Sequence, residues 1–195
     1  MSSVDPTSSR PLLDSLPRVL LLPGWLDSGP THWQSRWEAL HGDRRVQQDD
    51  WQWPKRGDWM ARLDEVVLES DEPIVLVAHS LGCHLVAAWA AHSAHTDRVE
   101  AALLVAVPDT ERDDMPPNLF NWRPVVRDRL PFASLVVISS DDPYGSPERS
   151  AQFASGWGSA IFSIGDRGHI NGDSGLGDWP QGRALLHELL RCCDP

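Results

Sequence analysis

Apolar residues in this chain gather in short runs closed by turn formers, not in long alternating stretches. Arg18-Val19-Leu20-Leu21-Leu22 ends at Pro23-Gly24, the pattern of a buried strand feeding a loop. Ile74-Val75-Leu76-Val77-Ala78 follows Pro73, and residues 101–107, 134–138 and 160–164 repeat the form. Runs without polar alternation are expected of parallel strands covered on both faces. Helical spacing separates them. Trp33, Trp37 and Leu40 share a face of a helix predicted over 32–40. Met60, Leu63, Val66 and Val67 give the stripe of a second helix, with Asp58 as its expected N-cap. Leu85 to Ala90 reads as a third, and Leu185, Leu186, Leu189 and Leu190 mark a closing helix over 183–191. This alternation predicts an α/β fold, a doubly wound, mostly parallel sheet flanked by helices. The least periodic stretch, 108–131 with Pro116, Pro117 and Pro124, is expected to form a surface flap too short for a separate lid domain.

The length of 195 residues fits one domain, expected over 17–195 after a flexible leader, 1–16, rich in Ser, Pro and Asp. A chain of this size buries enough surface to need no covalent staples. Hydrophobic residues at 41% and charged residues at 23% are globular values, which argues against wholesale disorder. The net charge of −11 argues against nucleic-acid or anionic-membrane partners. Three cysteines, Cys83, Cys192 and Cys193, form neither a disulfide framework nor a spaced zinc site. The leader lacks the basic start and apolar core of a signal peptide, and no run approaches a membrane span. The expected location is cytoplasmic.

The strand 74–78 delivers His79-Ser80-Leu81-Gly82 and then a helical stretch. Strand, sharp turn and helix around a serine are the setting of a nucleophile elbow, with Ala78 standing at the first glycine of G-x-S-x-G. A methyl group is small enough for the close strand–helix approach at that position. Serine is a weak nucleophile at neutral pH and needs a base within hydrogen-bond reach, a histidine to take and return its proton, and a carboxylate to orient that histidine. In elbow enzymes the acid and then the histidine follow the serine, in loops at strand carboxyl ends. Ser139-Ser140-Asp141-Asp142-Pro143-Tyr144 follows one strand, and Gly165-Asp166-Arg167-Gly168-His169-Ile170-Asn171 follows the next. The acid loop lies about 60 residues past Ser80 and about 27 before His169, a spacing of one or two βα units between elements.

Asp142 is favoured over Asp141 because it precedes Pro143, and the turn it begins can aim its carboxylate inward while Asp141 faces solvent. Of eight histidines, only His169 lies in a glycine-flanked loop after a late strand. His79 adjoins the serine but points the wrong way off the turn. His84, His92 and His95 lie on or after the elbow helix, and His32, His41 and His187 fall in other helices, read as solvated or packing residues. No metal-ligand spacing such as H-E-x-x-H occurs, so no metal or other cofactor is expected. The oxyanion is assigned to the backbone amides of Leu81 and of Trp25, in the loop after the first strand. Cys83 reads as small helix packing. Among ten tryptophans, Trp51, Trp53 and Trp59 cluster where they either line a pocket or fill the core.

Several segments together resemble the YdeN-like small serine hydrolases, the group of retinoblastoma-binding protein nine. They are Pro23-Gly24, Asp27-Ser28-Gly29-Pro30, His32-Trp33-Gln34, Ala78 to Cys83, Ser140 to Tyr144, Gly168 to Asn171 and, as in the bacterial branch, Ser174 to Gly182. The resemblance runs from Arg18 over nearly the whole chain. It implies a minimal α/β-hydrolase fold without a cap domain and a triad of Ser80, Asp142 and His169. The human member's protein partner has no basis for transfer here. The expected activity is carboxylesterase-like: a small-molecule ester, or an amide or thioester, cleaved through an acyl-serine in a shallow, partly open pocket that favours short acyl groups. The alternative is a binding or scaffold protein carrying an idle triad; a peptidase or carbon–carbon bond hydrolase would share the triad and differ only in substrate.

Overall fold

The computed structural model describes residues 17–192, so the leader expected over 1–16 lies outside them. Each apolar run becomes a strand: β1 (Arg18–Leu22), β3 (Ile74–His79), β4 (Val99–Val105), β5 (Ala133–Ile138) and β6 (Ala160–Ser163), with a two-residue edge strand β2 (Arg44–Arg45) that no run announces. Between them stand α1 (Trp33–His41), α2 (Arg56–Leu68), α3 (Leu81–Ala90), α4 (Pro147–Trp157) and, after β6, α5 (Pro180–Arg191). The strands form one sheet, all parallel, in the order β2-β1-β3-β4-β5-β6. Chain direction across the sheet reverses between β1 and β3, the topological switch point at whose carboxyl edge α/β sheets bind ligands.

Side chains alternate along each strand between two cores. One face presents Leu20, Leu22, Leu76, Ala78 and Leu104 to α2, α3 and α4, with Trp59, Leu63, Leu85, Phe153 and Trp157 packed upon them. The other presents Val19, Leu21, Val75, Val77 and Leu103 to α1 and α5 through Trp33, Trp37, Leu185 and Leu186. Burial on both sides explains why the β1, β3 and β4 runs lack polar alternation, whereas the β6 run, at the sheet edge, is largely exposed.

Two helix details differ from expectation. Leu40 is 56% exposed, off the Trp33–Trp37 face. The second helix starts at Arg56 with Lys55 at the N-cap, leaving Asp58 in its first turn, where a carboxylate favours the helix dipole without capping it.

Tryptophans do more than fill the core. A buried indole usually finds an acceptor for its N–H, and for four of them here the acceptor is a carbonyl of an irregular segment. Trp59 reaches the carbonyl of Asp50 at 3.2 Å, Trp122 that of Pro54 at 2.9 Å, Trp157 that of Val126 at 2.8 Å and Trp33 that of Ile170 at 2.8 Å. Trp51, Trp53 and Trp59 therefore do not act as a set. Trp59 is core, Trp51 packs edge-on to it at 5.3 Å, and Trp53 is exposed. The flap between β4 and β5 holds one 3-10 segment, Pro117–Trp122, and is tied down by buried Leu119, Trp122, Val125 and Leu130.

The start of α3 lies directly against the end of β1. A Cβ on Gly82 would fall 2.3 Å from the carbonyl oxygen of Leu22. Since neither backbone can yield cheaply, Gly82→Ala is expected to cost about 3 kcal/mol or more. Gly57→Ala, in open space on α2, should instead gain up to about 1 kcal/mol. Urea midpoints of the two variants would measure the contrast, and equal midpoints would contradict the packing described.

Candidate active site

Ser80 sits between β3 and α3 at φ 54, ψ −123. A side chain in that region is strained, and such strain gathers at functional sites. Five of the six non-glycine residues with positive φ among the described residues, Leu26, Asp27, Ser80, Ala106 and Ile170, lie beyond carboxyl ends of strands. The Ser80 amide donates to the carbonyl of Val105 at 2.9 Å, which ties the turn to the end of β4. The hydroxyl is turned out over the sheet edge, 2.8 Å from His169 Nε2.

His169 Nδ1 lies 2.9 Å from both carboxylate oxygens of Asp142. For Nδ1 to donate to that carboxylate, Nε2 must carry the lone pair, the tautomer that accepts the serine proton. The Asp142 side chain is 3% exposed and that of His169 10%, so water scarcely competes for this bond. Asp142 Oδ1 also accepts the Tyr144 amide at 2.9 Å, closing the turn that aims the carboxylate inward. Asp141 points elsewhere yet has a task of its own. Its Oδ1 accepts the Ser139 hydroxyl and the Gly168 amide, each at 2.7 Å. These bonds, the hydroxyl first, hold the Asp141 carboxyl below the usual carboxylate range and tie the histidine loop to the end of β5.

The loop after β1 brings its backbone against the serine. A Cβ on Gly24 would lie 2.7 Å from Ser80 Cβ, so only glycine passes there. Leu26 donates to the carbonyl of Trp51 at 3.2 Å and Asp27 to that of Gly24 at 3.2 Å; the amides of Trp25 and Leu81 are not engaged by those turns. Leu81 opens α3, whose first N–H groups and dipole favour negative charge. The Trp25 indole donates to the Gln52 carbonyl at 3.1 Å, fixing that ring beside the cleft.

Two supports of this loop had no role assigned to them from the sequence. Gln34, fully buried on α1, donates to the carbonyls of Leu22 at 3.3 Å and Val77 at 3.1 Å and accepts the Ser28 hydroxyl at 2.7 Å. Arg45 on β2, its side chain 7% exposed, binds Asp27 Oδ1 at 2.5 Å, the carbonyl of Ser28 at 2.9 Å and Ser35 Oγ at 2.6 Å. A long-range polar contact of this kind has no periodicity to betray it.

The histidines read as surface residues divide. His92 and His41 are exposed, but His84 and His32 are buried. His84 packs edge-on to Phe153 at 5.4 Å, with Nε2 2.7 Å from the Pro108 carbonyl under the root of the flap. His32 is the N-cap of α1, its Nδ1 accepting the Gln34 amide at 3.1 Å. Burial pushes His84 down to about 4, and burial with the Arg45 charge pushes His32 down to about 3. Among the described residues, no group of three or more His, Cys, Asp or Glu is arranged to hold a metal, and no helix is long and apolar enough to cross a membrane.

Over the triad-like group opens a cleft of about 580 Å3, a size usual for small-molecule sites. Trp25 and Leu26 line one side, and Pro108, Met115, Pro116 and Leu119 of the flap the other. Trp51, Trp53 and Trp59 are not among its lining.

A family model described as serine hydrolase matches residues 19–188. The chain belongs to the serine hydrolase family. Among solved structures, this hydrolase is similar to a YdeN-like hydrolase from Pectobacterium atrosepticum, at 27% identity over 91% of this chain and 92% of that one, with a TM-score of 0.76. It also matches the ydeN product of Bacillus subtilis, at 20% identity over 89% and 98% of the two chains and a TM-score of 0.66. A carboxylesterase from Bacillus subtilis shares the fold at 14% identity, with coverage of 86% and 81% and a TM-score of 0.57. No curated protein matches the chain. The serine hydrolase is thus YdeN-like, with the α/β-hydrolase architecture expected from its motifs.

The buried histidines make a measurable demand on the fold. In the unfolded chain they titrate near 6.5, and in the native state far lower. Between those values the unfolded chain binds more protons, so stability must fall as pH falls. Unfolding free energies from urea titrations are expected to drop from pH 6.5 to 5, above the range where most carboxylates titrate, by up to about 1.4 kcal/mol per pH unit for each histidine. A flat profile across that window would contradict native burial of uncharged imidazoles.

Proposed function

We propose that this protein hydrolyses small carboxylic esters through an acyl-serine intermediate, with Ser80 as nucleophile, His169 as general acid–base and Asp142 as its orienting carboxylate. The observation that carries the reading is the continuous hydrogen-bonded line from Ser80 Oγ through His169 to Asp142, at 2.8 and 2.9 Å, beneath an open cleft. Ser80 Oγ attacks the ester carbonyl carbon while His169 Nε2 takes its proton. The imidazolium so formed is stabilised by Asp142, which keeps its charge throughout. The carbonyl oxygen, now an oxyanion, is held by the amides of Leu81 and Trp25. Collapse expels the alkoxide, which receives the proton from His169 and leaves as the alcohol. Water then attacks the acyl-serine with His169 again as base, releasing the carboxylic acid and restoring Ser80. Amides and thioesters yield to the same attack with a different leaving group.

Intact mass after fluorophosphonate treatment tests the assignment. The wild type should gain one adduct and Ser80→Ala none, and His169→Ala should react about 100- to 10,000-fold more slowly. A folded wild type that takes no label would overturn the enzymatic reading in favour of a binding protein on a hydrolase fold. Among the described residues no separate lid domain covers the cleft, which favours short acyl groups. Acetate and butyrate p-nitrophenyl esters are therefore expected to turn over at least as fast as the laurate; much faster cleavage of the laurate would count against that preference.

A further inference from the structure

His79 precedes the serine and is not placed to act as its base, yet it is built into the site. It is buried, 5% exposed, at the last position of β3. Its Nε2 lies 2.8 Å from the backbone carbonyl oxygen of His169. A carbonyl only accepts, so Nε2 must carry the proton and donate. The two imidazoles pack edge-on at 4.9 Å, and His32 packs edge-on against the far side of His79 at 4.6 Å. Burial, with His32 and His169 alongside, holds His79 well below the ordinary histidine range. It therefore stays neutral and keeps one N–H to give.

The segment it grips needs gripping. Ile170, the next residue, has φ 47, a conformation costly for a β-branched side chain. Its carbonyl is held by the Trp33 indole at 2.8 Å, and Gly168 is held from the opposite side by Asp141. His79 is the one of these supports that acts on the backbone of His169 itself.

We propose that His79 is a positioning residue: its Nε2–H, donated to the carbonyl of His169, fixes that residue's backbone so that its ring meets both Ser80 and Asp142. This rests on the reading of His169 as the general base. Misplacement of a catalytic group by about 1 Å can lower a rate about 100-fold, so the expected effect lies on turnover and not on substrate binding.

Two variants separate donor from bulk. His79→Phe keeps an aromatic ring without the N–H, and His79→Gln restores an N–H donor. With p-nitrophenyl acetate, His79→Phe is expected to lose roughly 10- to 100-fold in kcat with KM within about twofold, to label with fluorophosphonate more slowly by a similar factor, and His79→Gln to recover most of both. A folded His79→Phe that keeps wild-type kcat, or a His79→Gln no better than His79→Phe, would overturn the proposal while leaving the esterase reading intact. A wild type that takes no fluorophosphonate would overturn both. Nitrogen-15 NMR of the wild type at neutral pH needs no variant: His79 should show a protonated Nε2 in slow exchange. The Nδ1–H tautomer would exclude the bond and the role.

Discussion

The site depends on how β1 and β3 part at their carboxyl ends. The two strands pair in register to Leu22 and Ala78, and beyond that pair their chains must diverge, one into the Gly24–Trp25 loop and the other into the elbow. Divergence frees carbonyls that the ladder no longer satisfies, and an unsatisfied buried carbonyl is costly. Gln34, inserted from α1, supplies one amide to Leu22 and to Val77. From the opposite face Gly82 brings α3 against the same Leu22 carbonyl. The crevice is thus held open by a side chain on one side and packed shut by a missing side chain on the other. That geometry is what sets the Gly24 backbone beside Ser80.

Much of this was legible in the sequence because it obeys short-range rules. Doubly covered strands need uninterrupted apolar runs, and Val19 to Leu22 and Ile74 to Val77 have them. A serine at the end of such a run, with Gly82 two residues on and a helix following, has the setting of a nucleophile elbow. Asp142 could be preferred to Asp141 because Pro143 constrains the turn. What stayed hidden are contacts whose partners lie far apart along the chain. Arg45 and Asp27 stand 18 residues apart, and Arg45 lies in a strand two residues long, too short for any pattern. The burial of His84 and His32 was hidden too, because a polar residue type leaves solvated and packing roles both open. His84 lies inside a helix, Leu81–Ala90, whose first nine residues are all buried, and the apolar neighbours on every side of it were the signal available. Leu40 erred in the opposite sense: its spacing fits the Trp33 face, but α1 is ending there and the core has already turned away.

Two adjacent carboxylates show how sequence neighbours take different duties. Asp141 and Asp142 leave the end of β5 on opposite sides of the turn. One binds the backbone of the histidine loop, and the other binds the ring that this loop carries. Exchanging them is not a conservative change, because a carboxylate satisfied by a backbone amide and a hydroxyl has no lone pairs directed at an imidazole.

The same division of labour explains why three imidazoles lie together in a protein of net charge −11. His32 accepts a backbone amide, His79 faces a backbone carbonyl, and only His169 faces a carboxylate. A positive charge on His32 or His79 would raise the cost of any positive charge on the His169 ring beside them. Burial removes that conflict by keeping His32 and His79 neutral, which leaves His32 a lone pair on Nδ1 for the Gln34 amide and His79 a proton on Nε2 for the His169 carbonyl. His169 is left as the one ring of the three paired with a carboxylate. Its pairing with Asp142 and the rigidity of its surroundings thus come from one packing arrangement.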